Sequence, residues 1–202
     1  MQSPLVTSVP VNVAAVLAEG HLTQAFDIAV ASSGPHSNGF TSLRRHIAEA
    51  GIDLDDAAPW GGGTARSQLL APTLLYPRLV EAVASTGALH AAANITGGGL
   101  TNLCRVLHDA GMSLDRWAEP AGVFDWLLGR TTPEIAYETW NMGVGFVLVV
   151  AARAVDAVMA AAPEGYELWL AGRIDAGLDA GTLVLDLADA TLTADRKAVS
   201  QA

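Results

Sequence analysis

Short apolar runs recur along the chain, and glycine-containing segments separate them. Residues 26–31 (FDIAVA) form an apolar run typical of a buried strand, and residues 89–95 and 144–150 have the same character. The run at 144–150 (VGFVLVV) is too continuous for a half-exposed strand, which predicts a central position in a sheet. Residues 166–174 and 182–187 predict two further strands.

Helical spacing of apolar residues fills the intervals between these runs. It predicts helices at residues 41–50, 73–86, 101–110 and 153–162. Thr132-Pro133-Glu134 marks another helix start, because Thr caps, Pro suits the first position and an acidic residue favours the helix dipole. Since the order strand, glycine loop, helix occurs twice, we predict an α/β fold with a mixed sheet flanked by helices.

The composition restricts the class of protein. The chain has 202 residues, of which 51% are hydrophobic and 16% charged, so it should form one folded domain. The net charge is −10 and Lys197 is the only lysine, so we expect no nucleic-acid partner and no membrane partner. Cys104 is the only cysteine, which excludes an internal disulfide and leads us to expect a cytoplasmic protein. The longest apolar run, residues 143–152, is about half the length of a membrane-spanning helix.

Two loops have a composition that suits an anion. Residues 32–39 (SSGPHSNG) and 96–102 (TGGGLTN) each follow a predicted strand and precede a predicted helix. Such turns expose backbone N–H groups beside a helix N-terminus. The first loop adds hydrogen-bonding and titratable side chains from Ser32, Ser33, His36, Ser37 and Asn38. The alternative is that both loops are only tight turns, since neither matches the P-loop or the G-x-G-x-x-G pattern.

Four motifs occur in a specific order: SSGPHSNGF (32–40), LLAPTLLYPR (69–78), NITGGGLTN (94–102) and TWNMGVGF (139–146), with LAGRIDAG (170–177) after them. Together they resemble phosphoribosylformylglycinamidine cyclo-ligase, also called aminoimidazole ribonucleotide synthase, and TWNMGVGF is similar to archaeal-type members. The resemblance covers roughly residues 10–185 and only the C-terminal half of that family. We find neither the Asp-rich signature nor the glycine-rich loop of the family's N-terminal ATP-binding domain.

The resemblance implies a division of the chain into three parts. Residues 1–22 are expected to be a remnant of the last strand of an ATP-binding domain with its linker. Residues 23–190 would form the C-terminal-like domain, and residues 191–202 a tail.

The resemblance also implies a reaction, the ATP-dependent cyclisation of formylglycinamidine ribonucleotide to aminoimidazole ribonucleotide in purine biosynthesis. His36 and Ser33 would be catalytic, and the substrate or its phosphates would contact Ser37, Asn38, Gly39, Thr96, Gly97, Gly98, Gly99, Asn141 and Gly143. ATP and Mg²⁺ would be bound mainly by the N-terminal half, which a separate chain supplies or which this sequence lacks. A homodimer or a heteromer is the expected assembly.

Departures from the family pattern keep two other hypotheses open. Asn94 stands where the family has His, Pro35 replaces a common Leu, Pro77-Arg78 replaces Val-Lys, and Glu138 replaces a frequent Arg. One alternative is a non-catalytic module that binds a nucleotide or ribonucleotide phosphate. The other is an interaction subunit whose apolar residues 1–18 add to a partner's sheet.

Other chemistry is less well supported. Ser33 and His36 lack the G-x-S-x-G context of a hydrolase, and the five histidines show no H-E-x-x-H spacing, so we predict no metal site. The acidic residues of the predicted loop at 53–66 are expected to be solvated. Hydrophobic-core positions are expected for Cys104 and, on apolar helical faces, for Trp117, Trp126 and Trp140.

Overall fold

A seven-stranded sheet forms the centre of the computed structural model, which describes residues 25–107 and 110–195. The strands are β1 (Ala25–Ala31), β2 (Leu89–Asn94), β3 (Gly111–Leu114), β4 (Val144–Ala151), β5 (Leu168–Asp175), β6 (Thr182–Asp186) and β7 (Thr191–Asp195). Their spatial order is β2-β4-β1-β5-β3-β6-β7. β3 and β6 are parallel and all other neighbours antiparallel, so the predicted mixed sheet is confirmed.

Helices cover both faces of this sheet. They are α1 (Phe40–Glu49), α2 (Ala65–Leu69), α3 (Pro77–Ser85), α4 (Val123–Leu128), α5 (Pro133–Thr139), α6 (Val155–Ala161) and the 3-10 helices Gly99–Arg105 and Ala152–Ala154. Apolar residues of α1, α4, α5 and the first 3-10 helix pack in one core, and those of α3 and α6 pack in a second. Within residues 25–107 and 110–195, no helix has the length and hydropathy needed to cross a membrane.

Several predicted boundaries differ from the observed ones. The helix predicted at 73–86 begins at Pro77, because proline suits the first helical position and lacks the N–H that a preceding helical turn would need. The helix predicted at 101–110 is the 3-10 helix Gly99–Arg105, and that predicted at 153–162 is split into a 3-10 turn and α6.

Two elements, β3 and β7, lie where no regular structure was predicted, and α4 lies where only a helical face at Trp126 was expected. β7 occupies the first part of the expected tail and extends the sheet to Asp195, because Leu192 and Ala194 alternate inward against β6. In addition, α2 begins within the predicted loop at 53–66, where the Thr64 hydroxyl accepts a hydrogen bond from the Ser67 N–H at 3.1 Å. The expected strand remnant at residues 1–22 lies outside the described residues.

The arrangement of three strands brings distant loops together. β4 is antiparallel to both β1 and β2, so β1 and β2 run in the same direction and end at the edge where β4 begins. Val30 of β1 and Asn94 of β2 both pair with Phe146 of β4. The loops that follow β1 and β2 therefore meet the turn that precedes β4.

Candidate functional site

The two loops predicted to bind an anion form one site with the turn before β4. The Ser32 N–H donates to the Gly143 carbonyl at 2.9 Å, which joins the first loop to that turn. The Asn38 amide donates to the Ile95 carbonyl at 3.1 Å, which joins the first loop to the second. We call residues 32–39, 95–99 and 139–143 the loop cluster.

Asn141 holds the cluster together from inside. Its side chain is fully buried, and its Oδ1 accepts hydrogen bonds from the Ser32 hydroxyl at 3.2 Å and from the Gly143 N–H at 3.0 Å. Its Nδ2 donates to the Gly34 carbonyl at 2.9 Å. The amide that the resemblance assigned to the substrate thus bonds to three protein groups.

The second loop is shaped by Asn102. Its Nδ2 donates to the carbonyls of Thr96 at 3.2 Å, Gly97 at 3.3 Å and Gly99 at 2.8 Å, and its Oδ1 accepts from the Thr96 hydroxyl at 3.3 Å. These bonds direct the three carbonyls toward the Asn102 side chain. In the described part of the chain, the N–H groups of Gly97 and Gly98 donate no hydrogen bond, so they can bind an anion.

Two glycines allow the cluster to close tightly. Gly39 has a φ of 62°, and a Cβ there would overlap the Trp140 indole nitrogen. Gly99 has a φ of 50°, and a Cβ there would overlap the Tyr137 carbonyl oxygen. Gly39 is also the N-cap residue of α1 and supplies no side-chain cap, so the first-turn N–H groups of this ten-residue helix have no hydrogen bond from a cap side chain.

His36 and Ser33, the two residues predicted to be catalytic, lie in contact. The His36 Nε2 accepts a hydrogen bond from the Ser33 N–H at 3.2 Å and lies 3.1 Å from the Ser33 Oγ. Burial lowers the pKa of the His36 imidazole, and a backbone donor on Nε2 favours the neutral ring with its proton on Nδ1. His36 is therefore suited to accept a proton at Nε2.

Ser33 also joins the cluster to the segment before α3. Its hydroxyl donates to the Pro72 carbonyl at 2.7 Å and accepts from the Leu74 N–H at 3.0 Å. Ser37, in contrast, is exposed beside the same loop. The hydroxyl of Ser33 is thus bonded within the protein, and that of Ser37 is open to solvent.

Sequence reasoning gave no role to Tyr76 and Gly145, which adjoin His36. The Tyr76 ring is buried and stacks on Phe146 with ring centres 4.9 Å apart, and its hydroxyl donates to the Ala31 carbonyl at 3.3 Å. Burial raises the pKa of Tyr76 to about 12. Tyr76 does lie in the motif at 69–78, but the sequence alone shows no partner for it.

An apolar cavity of about 800 Å³ adjoins this part of the site. It lies between α3 and β2, and Tyr76 and Phe146 form part of its wall. Asn94, which replaces the family histidine, is exposed and also lines the cavity. The departure from the family pattern therefore lies beside the loop cluster.

The candidate metal ligands and Cys104 lie outside the loop cluster. In residues 25–107 and 110–195, no group of three or more His, Cys, Asp or Glu side chains could hold a metal ion. Asp55 pairs with Arg66 through two hydrogen bonds of 2.6 and 3.0 Å, and this guanidinium lowers the pKa of Asp55. Cys104 is fully buried, and burial raises its pKa to about 11.

The three tryptophans differ from one another. Trp117 and Trp140 are buried, as expected, but Trp117 lies in the loop after β3 and Trp140 at the C-cap of α5 rather than on helical faces. Trp126 lies on α4 and is half-buried, with the Arg130 guanidinium 3.8 Å above its ring centre.

Known structures share this fold. Escherichia coli HypE, a hydrogenase maturation protein, aligns with a TM-score of 0.51 at 18% identity over 85% of this chain and 49% of its own. HypE in complex with ATP aligns with a TM-score of 0.52 at 16% identity, covering 82% of this chain and 49% of that protein. At such identities the likeness concerns the fold alone.

Sequence comparison is more specific. A phosphoribosylformylglycinamidine cyclo-ligase from Synechococcus sp. (strain CC9311) is 37% identical over 170 residues, which are 79% of this chain and 49% of the relative. The chain thus spans about half the length of the curated relatives it matches. The family model described as AIR synthase related protein, C-terminal domain, matches residues 28–183. Because that model covers most of the sequence, the chain belongs to the AIR synthase related protein family and contains its C-terminal domain.

Proposed function

We propose that this chain is the substrate- and phosphate-binding half of a cyclo-ligase that converts formylglycinamidine ribonucleotide to aminoimidazole ribonucleotide with ATP. The observation that carries the proposal is the meeting of three features in the loop cluster. They are the uncapped N-terminus of α1, the free N–H groups of Gly97 and Gly98, and the neutral imidazole of His36. The proposal is also supported by two relatives that are 37% identical to this chain and are named as phosphoribosylformylglycinamidine cyclo-ligases.

The chemistry of the site fits this reaction in two respects. Backbone N–H groups at a helix start and in a glycine loop bind phosphate oxygens, and they can stabilise charge as phosphate leaves. The His36 Nε2 can accept the proton that the attacking nitrogen loses, because burial keeps the ring neutral. Protonation of Nε2 breaks the hydrogen bond that it accepts from the Ser33 N–H, and the new N–H can donate to the Ser33 Oγ, 3.1 Å away, whose second lone pair can accept this bond.

ATP and Mg²⁺ need groups that the loop cluster does not offer. Mg²⁺ prefers carboxylate and phosphate oxygens, and residues 32–39, 95–99 and 139–143 contain no Asp or Glu. We therefore assign the metal and most of the nucleotide contacts to an N-terminal half in the same assembly, either a homodimer or a heteromer. With one buried cysteine, the chain would work in the reducing cytoplasm.

A second candidate is a non-catalytic module that binds the phosphate of a nucleotide or ribonucleotide. The observation that favours it is Asn94, which cannot transfer a proton as the family histidine could. Under this alternative, the loop cluster keeps its free N–H groups and binds the ligand without turning it over.

The test is reconstitution of the activity. The purified chain is incubated with ATP, Mg²⁺ and formylglycinamidine ribonucleotide, with and without the separately produced N-terminal half of the Synechococcus relative, and ADP and aminoimidazole ribonucleotide are measured. We expect product only with both halves, and its loss in His36→Ala. His90→Ala, a half-buried histidine of β2 outside the loop cluster, is the matched control and should retain turnover.

Other outcomes separate the hypotheses. Binding of the substrate without product in the presence of both halves would favour the binding module. Such binding can be measured as a stabilisation of the fold, which is about 2.7 kcal/mol at a hundredfold excess of ligand over Kd. Full turnover in His36→Ala would contradict the assignment of His36.

A further inference from the structure

The surroundings of His36 are unusually restrictive for a loop side chain. His36 has a φ of 55°, in the left-handed region that side-chain-bearing residues seldom adopt. Its side chain is only 9% exposed although it lies in a loop. A backbone held in this way commonly costs about 1–3 kcal/mol, so neighbouring groups must enforce it.

Gly145 supplies the space into which the imidazole fits. This residue is the second of β4, and a Cβ built on it would lie 3.0 Å from the His36 Cε1. The same Cβ would overlap the Tyr76 hydroxyl and lie 2.8 Å from the Tyr76 Cζ. One missing side chain therefore makes room for both groups, and any other residue at position 145 would displace at least one of them.

Tyr76 forms the adjoining wall. Its ring centre lies 6.4 Å from that of His36, and the two ring planes are tilted by 59°. The ring is held on its other side by stacking on Phe146 and at its tip by the bond to the Ala31 carbonyl. Since Ala31 ends β1 and Phe146 lies in β4, the wall is fixed to the sheet rather than to a loop.

We propose that Gly145 and Tyr76 are positioning residues that form a rigid seat for the His36 imidazole and direct its Nε2 toward Ser33. The seat fixes the edge of the ring that carries Cε1, which leaves Nε2 on the Ser33 N–H and Oγ. Its effect on turnover rests on the proposed function, whereas its effect on the ring can be measured without turnover.

The experiment follows the His36 ring by NMR in the full chain, in wild type, Gly145→Ala, Tyr76→Phe and the double variant. The readouts are the His36 titration and the ring ¹⁵N shifts that report its tautomer. In Gly145→Ala we expect the pKa of His36 to move up toward its ordinary value and the Nδ1–H tautomer to lose its dominance. Tyr76→Phe keeps the wall and should resemble wild type.

The double variant separates the two overlaps. Removing the Tyr76 hydroxyl removes the worst overlap with a Cβ at position 145 and leaves the approach of that Cβ to the His36 Cε1 at 3.0 Å. The double variant should therefore be more stable than Gly145→Ala, and its His36 titration should remain shifted from that of wild type. Gly172→Ala is the matched control, because a Cβ at that strand glycine would overlap the Ser113 carbonyl oxygen far from His36. It should lower stability and leave the His36 titration unchanged.

Two results would overturn the proposal. One is a folded Gly145→Ala whose His36 titration and tautomer equal those of wild type. The other is an equal change in Gly172→Ala, which would show a general response to strain in the sheet. If Gly145→Ala does not fold, the double variant decides: it must fold with a His36 titration shifted from that of wild type. In the reconstituted enzyme we expect Gly145→Ala to lose about 100-fold in kcat, because a small displacement of the imidazole has an effect of this size. Failure of reconstitution would count against the proposed function and would leave the NMR test of the His36 ring valid.

Discussion

Asp27 should make the stability of this domain fall as pH rises. The residue lies in the middle of β1, opposite Val149 of β4 and Gly172 of β5, and its side chain is fully buried. Neither carboxyl oxygen has a hydrogen-bond partner among residues 25–107 and 110–195. Burial raises the pKa of this carboxyl well above its ordinary value. The native protein therefore keeps the proton of Asp27 to a higher pH than the unfolded chain does.

The sign and size of the effect follow from proton linkage. The native state keeps its proton to a higher pH than the unfolded chain, whose aspartates ionise near pH 3.9. The contribution of protonated Asp27 is thus complete below about pH 3.9 and is lost as pH rises through the native pKa. Within that window each pH unit removes about 1.4 kcal/mol of unfolding free energy. Even when neutral, the unpartnered group costs about 1–3 kcal/mol.

The assay is urea unfolding of wild type, Asp27→Asn and Asp27→Val from about pH 4, near the ordinary aspartate pKa, to about pH 8. The advantage of Asp27→Asn over wild type should grow with pH, because an amide does not titrate. Asp27→Val should have a free energy of unfolding about 1–3 kcal/mol above that of Asp27→Asn at every pH, because it also removes the unpartnered polar group. Asp179→Asn, at an exposed carboxyl, is the control and should differ from wild type by a constant amount.

A pH-independent difference between Asp27→Asn and wild type would refute this reasoning. It would mean that Asp27 does not titrate differently in the native and unfolded states. The same conclusion would follow if Asp27→Val were destabilised throughout, since an apolar side chain of similar size should suit the surrounding core.

Two further predictions concern buried side chains. Asn141→Ala should lower the free energy of unfolding by at least about 2 kcal/mol in urea, because it leaves the Gly143 N–H and the Gly34 carbonyl unpaired. Asn94→Ala, at an exposed position, is the control and should cost less than about 0.5 kcal/mol. Equal losses in the two variants would contradict the conclusion that the Asn141 hydrogen bonds hold the loops together. Cys104 should react with a thiol reagent at neutral pH only as fast as the domain unfolds, because it is buried with a pKa of about 11. Rapid labelling of the native protein would show that the core opens locally.

Apolar runs were sufficient to predict β1 and β4, which lie inside the sheet. β1 and β4 are buried almost throughout, so their sequences have few polar residues. β3 was missed because four residues carry too little pattern, and β7 because TLTAD resembles a polar tail. No local pattern gives the strand order, since β1 pairs with β4 and β5, both more than 100 residues later in the chain.

For the site, the motifs indicated segments that the sheet brings together, but they did not reveal the hydrogen bonds of their amides. That Asn38 and Asn141 contact the substrate stays a prediction; in the structure their side chains donate to the carbonyls of Ile95 and Gly34. The residue type reveals a hydrogen-bonding group, whereas its partner depends on which loops the sheet brings together. Tyr76 and Gly145 were overlooked for the same reason, since their relation to His36 exists only across strands.

The use of these amides within the protein determines how the cluster can bind an anion. With Asn38, Asn102 and Asn141 all bonded to loop carbonyls, an anion in the proposed site would be bound by backbone N–H groups, for which glycine-rich loops are suited. Residues 32–39, 95–99 and 139–143 contain no charged side chain apart from the titratable His36. Phosphoryl transfer also requires cations that neutralise the growing negative charge, and a chain with a net charge of −10 opposes an anion at long range. The cations of the proposed reaction must therefore come from another part of the assembly, which is why we favour a half-site completed by a partner over a self-sufficient enzyme.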